Sequence, residues 1–274
     1  MNTNEIRLIA TDMDGTLLNS GQQISPENLS ALREARARGV RMAICSGRLP
    51  GDAGLFAVSA GLADCAILSL NGAYCQERPM GEAYENHTLP DRALNECVAL
   101  LSAGGLSFAC FAQNRQVIFN AARREEARWG GHARGEGAPE YLYGMDALNR
   151  VRGDGVNKIV CLGESEERLA CLRKRLEAVK GIAVTSSWAL NLELMPEGVD
   201  KGTAVLGLAK RLGLEASSVM ALGDYDNDEP MIARSGLGVA MGNATGRVRR
   251  AARHVTLTND EDGVAAAIRR FVLT

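Results

Sequence analysis

The sequence predicts an α/β protein with a doubly wound parallel sheet as its core and an α+β domain inserted into it. Short apolar strands alternate with helical segments at both ends of the 274-residue chain, a pattern typical of parallel sheets. Between residues 87 and 187 this alternation gives way to paired strands. Polar, glycine-containing loops follow the predicted core strands, where open parallel sheets bind their ligands.

The first element is a core strand, because four of the six residues in Ile6–Thr11 are apolar and the run is too short for a buried helix. It leads directly into the segment Asp12–Thr16. Side chains two apart in a strand point the same way, so Asp12 and Asp14 are predicted to converge at the strand end. Carboxylates that close repel each other unless a cation or a shared proton lies between them. A solvated turn is the alternative reading, since Asp and Gly are common in turns.

A helix comes next, with Ser25 as its N-cap, Pro26 in its first turn and Gly39 at its end. The following elements are predicted to be a strand at 40–45, a helix at 49–60 and a strand at 65–70. The first of these strands ends at Ser46-Gly47-Arg48 and the second at Asn71-Gly72. Residues 73–76 and 82–87 indicate a small hairpin that leaves this sheet.

The segment without alternation is interpreted as the inserted domain. Its predicted elements are helix 89–103, strands 107–112 and 116–120, a polar helix near 121–129, strand 157–163, helix 165–179, and paired strands 182–187 and 190–195. A glycine-rich stretch at 130–137 indicates no element. We therefore assign residues 1–86 and 188–274 to the core and residues 87–187 to the insert.

The alternation of strands and helices returns at Lys201. The remaining elements are predicted as helix 201–212, strand 219–222, helix 229–235, strand 236–241, helix 245–252, strand 254–257 and helix 262–272. The strand at 219–222 ends at the segment Gly223–Asp228, which contains three aspartates. Most of the chemistry-bearing side chains therefore follow core strands, at one edge of one sheet.

Composition excludes several classes of function. The formal net charge of −2 offers no basic surplus for nucleic acid, and an aromatic content of 4% leaves few platforms for stacked bases. No stretch approaches the ~20 apolar residues of a membrane span. The seven cysteines show no CxxC pair and no zinc-like spacing. Buried free thiols in a reduced, cytoplasmic setting are the expected reading.

The loop residues favour phosphoryl transfer. Carboxylates in this number call for a hard cation, and Mg²⁺ suits them because it keeps waters and binds substrate phosphates. The Ser46 hydroxyl, the neighbouring amides and the Lys201 ammonium are suited to holding phosphate oxygens. An aspartate such as Asp12 can also act as a nucleophile. For Lys201 the alternative is an ordinary exposed lysine at the start of a helix. A Ca²⁺-binding EF-hand loop at 223–228 is excluded, because the segment lacks the Gly and Glu positions that such a loop needs.

Four segments in this order resemble the motifs of haloacid dehalogenase superfamily phosphatases: Asp12-x-Asp14-Gly15-Thr16, Ser46-Gly47-Arg48, Lys201-Gly202 and Gly223-Asp224-x-x-Asn227-Asp228. The chain is most similar to the Cof-type subfamily, in which a subclass IIB α/β cap domain is inserted into a Rossmann-like core. Leu70–Ala73 and Glu197–Gly202 add to the likeness. Tyr225 departs from the pattern, since the family usually has a small residue there.

The resemblance implies a role for each motif residue. Asp12 would be the nucleophile and a Mg²⁺ ligand, and Asp14 would bind the metal through its backbone carbonyl and act as acid and then base. Asp224 would be the second carboxylate ligand, with Asp228 behind it. Ser46 and Lys201 would hold the phosphoryl group. Further substrate contacts are implied for Gly47, Asn71, Gly72 and Asn227.

The sequence thus predicts a Mg²⁺-dependent phosphomonoester hydrolase that acts on small phosphorylated metabolites such as sugar phosphates, with no nucleic-acid or membrane partner. A phosphotransferase or phosphomutase on the same scaffold is the alternative, because a sugar hydroxyl can replace water. A nucleotide-dependent dehydrogenase is disfavoured because no GxGxxG follows the first strand. The motif carboxylates disfavour a non-catalytic binding protein. Since all the proposed chemical groups lie outside the insert, the cap is expected to choose the substrate.

Overall fold

The structure is a computed structural model that describes residues 5–120 and 135–274. The polar helix predicted near 121–129 lies outside the described residues. Within them the chain forms one sheet of eight strands and one of six, each with its own helices. No helix in these ranges is long and apolar enough to cross a membrane.

The larger sheet contains both ends of the chain. Its strands are β1 (Leu8–Thr11), β2 (Arg41–Cys45), β3 (Ala66–Ser69), β4 (Tyr74–Gln76), β5 (Ala83–Asn86), β12 (Val219–Gly223), β13 (Leu237–Ala240) and β14 (His254–Val255). They lie in the order β14-β13-β12-β1-β2-β3-β4-β5, and all pairs from β14 to β3 are parallel. The predicted doubly wound α/β core is confirmed.

Helices connect these strands as the sequence predicts. They are α1 (Pro26–Ala37), α2 (Pro50–Ser59), α6 (Lys201–Arg211), α7 (Glu229–Arg234), α8 (Gly246–Ala251) and α9 (Gly263–Phe271). The start of α1 forms as its sequence predicts. The Ser25 hydroxyl accepts a hydrogen bond of 3.0 Å from the backbone amide of Asn28, and Pro26 begins the helix. Gly39 follows the helix with a φ of +82°, a backbone conformation suited to glycine.

The prediction that a hairpin leaves this sheet is wrong. Strand β4 pairs antiparallel with β3, and β5 pairs antiparallel with β4, so the hairpin extends the sheet at its edge. The cause lies in three consecutive residues with positive φ: Leu70 at +51°, Asn71 at +57° and Gly72 at +92°. They turn the chain back so that β4 returns beside β3 instead of crossing over to a new position.

The smaller sheet belongs to the inserted segment. Its strands are β6 (Phe108–Ala112), β7 (Arg115–Phe119), β8 (Glu140–Tyr143), β9 (Lys158–Leu162), β10 (Ile182–Thr185) and β11 (Asn191–Pro196), in the order β10-β11-β9-β6-β7-β8. Its helices are α3 (Asp91–Ala103), α4 (Gly144–Val151) and α5 (Glu166–Leu176). The sequence indicated neither β8 nor α4.

The end of the insert requires a correction. The boundary predicted at residue 187 cuts the hairpin between β10 and β11, although both strands pair antiparallel within the smaller sheet. The pairing of β11 with β9 therefore carries the smaller sheet to Pro196. The sequence did not reveal this because an apolar strand has the same pattern in either sheet.

The two faces of the smaller sheet pack against different partners. One face is covered by α3, α4 and α5, with Phe108, Ile159 and Leu194 among its buried residues. The opposite face carries Phe111, Val160 and Met195, which pack against Leu49, Leu70 and Ala73. Those last three residues lie in the loops that follow β2 and β3. The smaller sheet therefore lies directly on the loops that carry the predicted site.

Candidate active site

Three carboxylates meet where β1 and β12 end. The two strands are parallel neighbours, with Thr11 opposite Leu222, so the residues that follow them emerge side by side. Carboxylate oxygens of Asp12, Asp224 and Asp228 lie within 4.8 Å of one another. Asp12 is 6% exposed and Asp228 is fully buried. The structure thus brings together the carboxylates of the first and fourth sequence motifs.

Lys201 lies between two of these carboxylates. Its Nζ donates hydrogen bonds of 2.6 Å to Asp12 Oδ1 and 2.5 Å to Asp228 Oδ1. Lys201 opens α6, whose N-cap Asp200 accepts a hydrogen bond from the Thr203 amide, and this capping fixes where the lysine emerges. Burial alone would lower the pKa of Lys201, but the two carboxylates outweigh burial and raise it. Lys201 is therefore a permanent positive charge inside the site.

Asp224 is held by the first motif. The Thr16 hydroxyl donates a 2.7 Å hydrogen bond to Asp224 Oδ1. Gly15 adopts a φ of +76°, and a Cβ at this position would lie 2.5 Å from Asp224 Oδ2. The sequence analysis quoted Gly15 and Thr16 in the motif without giving either a role. The structure shows that they position the Asp224 carboxylate.

Burial, together with neighbouring negative charge, raises the pKa of two of these carboxyls. Burial, and then the neighbouring Asp228, raise the pKa of Asp12 well above its ordinary value despite the opposing effect of Lys201. Burial and Asp228 also raise the pKa of Asp224 to about 7. One ammonium thus compensates only part of the charge of three carboxylates. The site as it stands has a deficit of positive charge.

The chemistry of these donors fits a hard divalent cation. All of them are oxygens, they are close together, and a cation would supply the missing positive charge. Mg²⁺ prefers such oxygen ligands and needs few of them from the protein. Asp12, Asp224 and Asp228 each offer a carboxylate oxygen that could bind such an ion.

The side chain of Asp14 does not join the group of three carboxylates, although its charge still acts on Asp12 and Asp224. Arg48 binds the Asp14 carboxylate through Nε at 2.8 Å and Nη2 at 2.5 Å. The physical reason is that β1 ends at Thr11. The backbone amides of Leu17 and Leu18 then donate to the carbonyls of Asp12 and Met13, which closes a turn. Strand alternation therefore no longer applies at Asp14. Arg48 of the second motif therefore contacts a carboxylate of the first motif.

The residues predicted to hold phosphate follow β2 and β3. Ser46 is 2% exposed, and its Oγ accepts a hydrogen bond of 3.1 Å from the Arg48 amide. The Asn71 amide donates to the Ser46 carbonyl at 3.0 Å. Asn227 Nδ2 donates to Asn71 Oδ1 at 3.1 Å. Gly72, with φ of +92°, allows α6 to approach, since a Cβ there would lie 2.7 Å from Ala204.

A cavity of about 190 Å³ opens beside these residues. Its lining includes Asn71, Lys201 and Asn227 from the unit that contains the larger sheet. The unit that contains the smaller sheet contributes Arg173, Ser186 and Met195. Both units thus contribute to one pocket that reaches Lys201.

The insert contributes residues that the sequence motifs do not predict. Lys158 and Glu193 are buried on the face of the smaller sheet that meets the core loops, and both contact those loops. A signal was present in each case, because Lys158 precedes the apolar run Ile159–Leu162 and Glu193 lies between Leu192 and Leu194. A single charge in an apolar strand is unusual enough to be noted.

Comparison with known proteins agrees with this geometry. A family model described as haloacid dehalogenase-like hydrolase matches residues 9–268. The 5-amino-6-(5-phospho-D-ribitylamino)uracil phosphatase YcsE of Bacillus subtilis is 35% identical over 98% of this chain and 97% of its own. A haloacid dehalogenase-like hydrolase from Bacteroides thetaiotaomicron superposes with a TM-score of 0.81 at 31% identity, covering 97% of this chain and 99% of its own. The subclass IIB sugar phosphatase BT4131 shares the fold, with a TM-score of 0.83 at 21% identity over 97% and 98%.

Proposed function

The chain belongs to the haloacid dehalogenase-like hydrolases and is a phosphatase of that family, and from this premise we propose a sharper function. The protein is a Mg²⁺-dependent phosphomonoester hydrolase of small phosphorylated metabolites, and sugar phosphates are the expected class. The observation that supports it most directly is the contact of Lys201 with Asp12, within a cluster of three carboxylates.

In the first step Asp12 attacks the phosphorus of the ester. Lys201 holds Oδ1 of Asp12, which leaves Oδ2 to form the new bond to phosphorus while the bond to the leaving alcohol oxygen breaks. Ser46 and Lys201 hold the oxygens of the transferred group, and positioning of this kind supplies most of the rate in phosphoryl transfer. When bound, Mg²⁺ neutralises the charge of the phosphoryl oxygens.

Asp14 supplies the proton that the leaving oxygen needs. It then removes a proton from the water that attacks the phosphorus of the aspartyl-phosphate. Phosphate leaves, and the Asp12 carboxylate is restored. In this structure the Asp14 carboxylate is bound to Arg48, so it has to leave Arg48 and take up a proton from solvent before it acts as the acid.

The substrate class rests on the pocket and on the relative named above. The cavity lining combines amide, hydroxyl and guanidinium groups, which suit the hydroxyls of a sugar or polyol. The name of YcsE states that it acts on 5-amino-6-(5-phospho-D-ribitylamino)uracil, a phosphorylated polyol linked to a pyrimidine. We include this compound with the sugar phosphates as a candidate substrate of the chain.

The test is a screen for phosphate release. Purified protein is assayed with sugar phosphates, with 5-amino-6-(5-phospho-D-ribitylamino)uracil and with p-nitrophenyl phosphate, each in Mg²⁺ and in EDTA. We expect phosphate release that requires Mg²⁺ and is absent in Asp12→Asn. An isomeric sugar phosphate formed without free phosphate would instead establish the phosphomutase alternative. Full activity after exhaustive chelation would remove the metal from the proposal.

A further inference from the structure

The face of the smaller sheet that meets the core loops is largely apolar, with Gln116 and Asn191 as buried polar residues, and it carries a buried charged pair. Lys158 in β9 and Glu193 in β11 are 2% and 3% exposed. Because Glu193 lies opposite Val160, two residues from Lys158, the pair occupies diagonal positions on one face of adjacent strands. Lys158 Nζ lies 3.4 Å from Glu193 Oε2 and 4.8 Å from the centre of the Phe111 ring. The pair is enclosed by protein on this face.

Each member of the pair also contacts a core loop. Lys158 Nζ donates a 2.7 Å hydrogen bond to the carbonyl of Gly47. Glu193 Oε2 accepts a hydrogen bond from Asn71 Nδ2. Space between these groups is tight, since a Cβ at Gly47 would lie 3.2 Å from Asn71 Oδ1 and 3.3 Å from Lys158 Nζ. Two side chains of the insert thus bind the two loops that follow β2 and β3.

The contacts continue to the catalytic groups. Asn71 Oδ1 accepts from Asn227 Nδ2, and Asn227 directly precedes Asp228, the partner of Lys201. The backbone amide of Asn71 donates to the carbonyl of Ser46, the residue before Gly47. Asn71 also keeps a φ of +57°, a conformation that the surroundings have to hold. The pair therefore contacts a residue, Asn71, whose left-handed backbone lies beside the phosphate loop.

Stability does not explain such a pair. Burial of two charges costs free energy that their attraction barely repays, and apolar residues in the same place are often neutral or stabilising. The carboxylate is nevertheless well satisfied: burial would raise the pKa of Glu193, but Lys158, the Ser187 hydroxyl and Asn71 together lower it. A buried carboxylate whose hydrogen-bond partners come from both the smaller sheet and a core loop points to a requirement for one defined position.

We propose that Lys158 and Glu193 are positioning residues, which fix the Ser46-Gly47 and Asn71-Gly72 loops in the geometry that binds the phosphoryl group when the insert lies on the core. This role rests on the proposed phosphatase function. It means that the insert completes the phosphate site in addition to choosing the substrate. Neither residue is required to touch the substrate.

The test removes both charges at once. The double variant Lys158→Met/Glu193→Gln leaves no unpaired charge, and the Gln oxygen still accepts from Ser187 and Asn191, which bond Glu193 Oε1 at 2.6 and 3.2 Å. The matched control is Lys174→Met/Glu96→Gln, the same changes at exposed positions of α5 and α3. We expect the first variant to melt within a few degrees of wild type, and amide exchange at 46–48 and 70–72 to become faster in that variant alone.

Kinetics separate positioning from loss of folded protein. We expect kcat/KM for p-nitrophenyl phosphate to fall between ~10- and ~100-fold, as for other small misplacements of reacting groups. In the same variant the inhibition constant of orthovanadate should rise, because the phosphate site that binds it is misplaced. A smaller active fraction lowers kcat but leaves KM and the vanadate constant unchanged, so those two values identify a positioning effect.

Two results would overturn the proposal. Unchanged exchange at both loops refutes the coupling, and this holds even if the wild-type protein hydrolyses no phosphate ester and the proposed function itself fails. Faster exchange with an unchanged vanadate constant refutes the role in phosphate binding. If the double variant does not fold, Glu193→Asp replaces it, because it keeps the charge but withdraws the carboxylate from Asn71. Exchange should then increase at 70–72 and not at 46–48.

Discussion

Replacement of Lys201 by Met tests the centre of the site. The lysine is 1% exposed and is the only cation that the described residues place in hydrogen-bond contact with Asp12 and Asp228. Without it, two buried carboxylates lose their partner. Breaking a buried ion pair on one side costs about 3–5 kcal/mol. At about 2–4 °C per kcal/mol for a chain of this size, the melting temperature should fall by roughly 6–20 °C.

A second variant separates stability from catalysis. Lys201→Met/Asp228→Asn restores the net charge of the cluster, and the Asn oxygen still accepts from the amides of Asp224 and Tyr225, which bond Asp228 Oδ2 at 2.9 and 3.1 Å. We expect this double variant to recover much of the lost stability. Its kcat should stay about 10²–10³-fold below that of the wild-type protein, the usual loss when a donor to the transition-state charge is removed.

Both properties are measured on the same preparations. Thermal melting is followed in EDTA, so that no cation substitutes for the lysine, and phosphate release from p-nitrophenyl phosphate is followed in Mg²⁺. Lys210→Met, at an exposed position near the other end of α6, is the matched control. A single variant within about 1 kcal/mol of wild type would refute the electrostatic argument, which requires at least ~3 kcal/mol. Recovery of activity in the double variant would refute a catalytic role for the ammonium.

The remaining predictions concern the three other acidic groups of the proposed mechanism. Asp12→Asn should abolish turnover and leave the fold intact; activity within about tenfold of wild type, a barrier change of only ~1.4 kcal/mol, would contradict covalent catalysis. Asp14→Asn should slow formation of the aspartyl-phosphate most for esters with poor leaving groups, because these depend on the donated proton. Equal losses for nitrophenyl and alkyl phosphates in that step would contradict its role as an acid. Asp224→Ala should weaken Mg²⁺ binding in calorimetry, and Ca²⁺, with its longer bonds and looser coordination, should inhibit the wild-type enzyme. Unchanged Mg²⁺ affinity would mean that Asp224 is not a ligand.

The larger sheet was predictable because its signals are local. Apolar runs such as Leu8–Thr11 and Val219–Gly223 are too short for helices, and Ser25 with Pro26 marks a helix start by its own chemistry. The ends of parallel strands meet at one edge, which is why Asp12 and Asp224 could be placed together without coordinates. This part of the site follows from chain topology alone.

The rest depended on backbone conformations and pairings that sequence patterns do not encode. The turn after Asp12 sends the Asp14 side chain to Arg48, and nothing in the alternation of residues announces where a strand stops. Positive φ at Leu70, Asn71 and Gly72 returns β4 to the sheet, although Leu70 is a residue type that rarely adopts that conformation. The paired residues of β11 and β9 are about 30 positions apart in the sequence. Because of this pairing the smaller sheet extends to Pro196, beyond the predicted boundary.

The interface between the two sheets shows why a costly pair of charges can serve the proposed function better than an apolar contact. The apolar contacts of Phe111, Val160 and Met195 with Leu70 would be almost as favourable if the smaller sheet shifted slightly along the core loops. Dispersion contacts have little directional preference. The bonds from Lys158 to the Gly47 carbonyl and from Asn71 to Glu193 form in one register only. In any other register the Gly47 carbonyl and the Asn71 side-chain amide would lose these buried partners, which costs about 1–3 kcal/mol for each group, while Lys158 and Glu193 would keep each other. The pair therefore penalises misplaced arrangements more than it stabilises the correct one, and the correct one is the arrangement in which both phosphate loops are held.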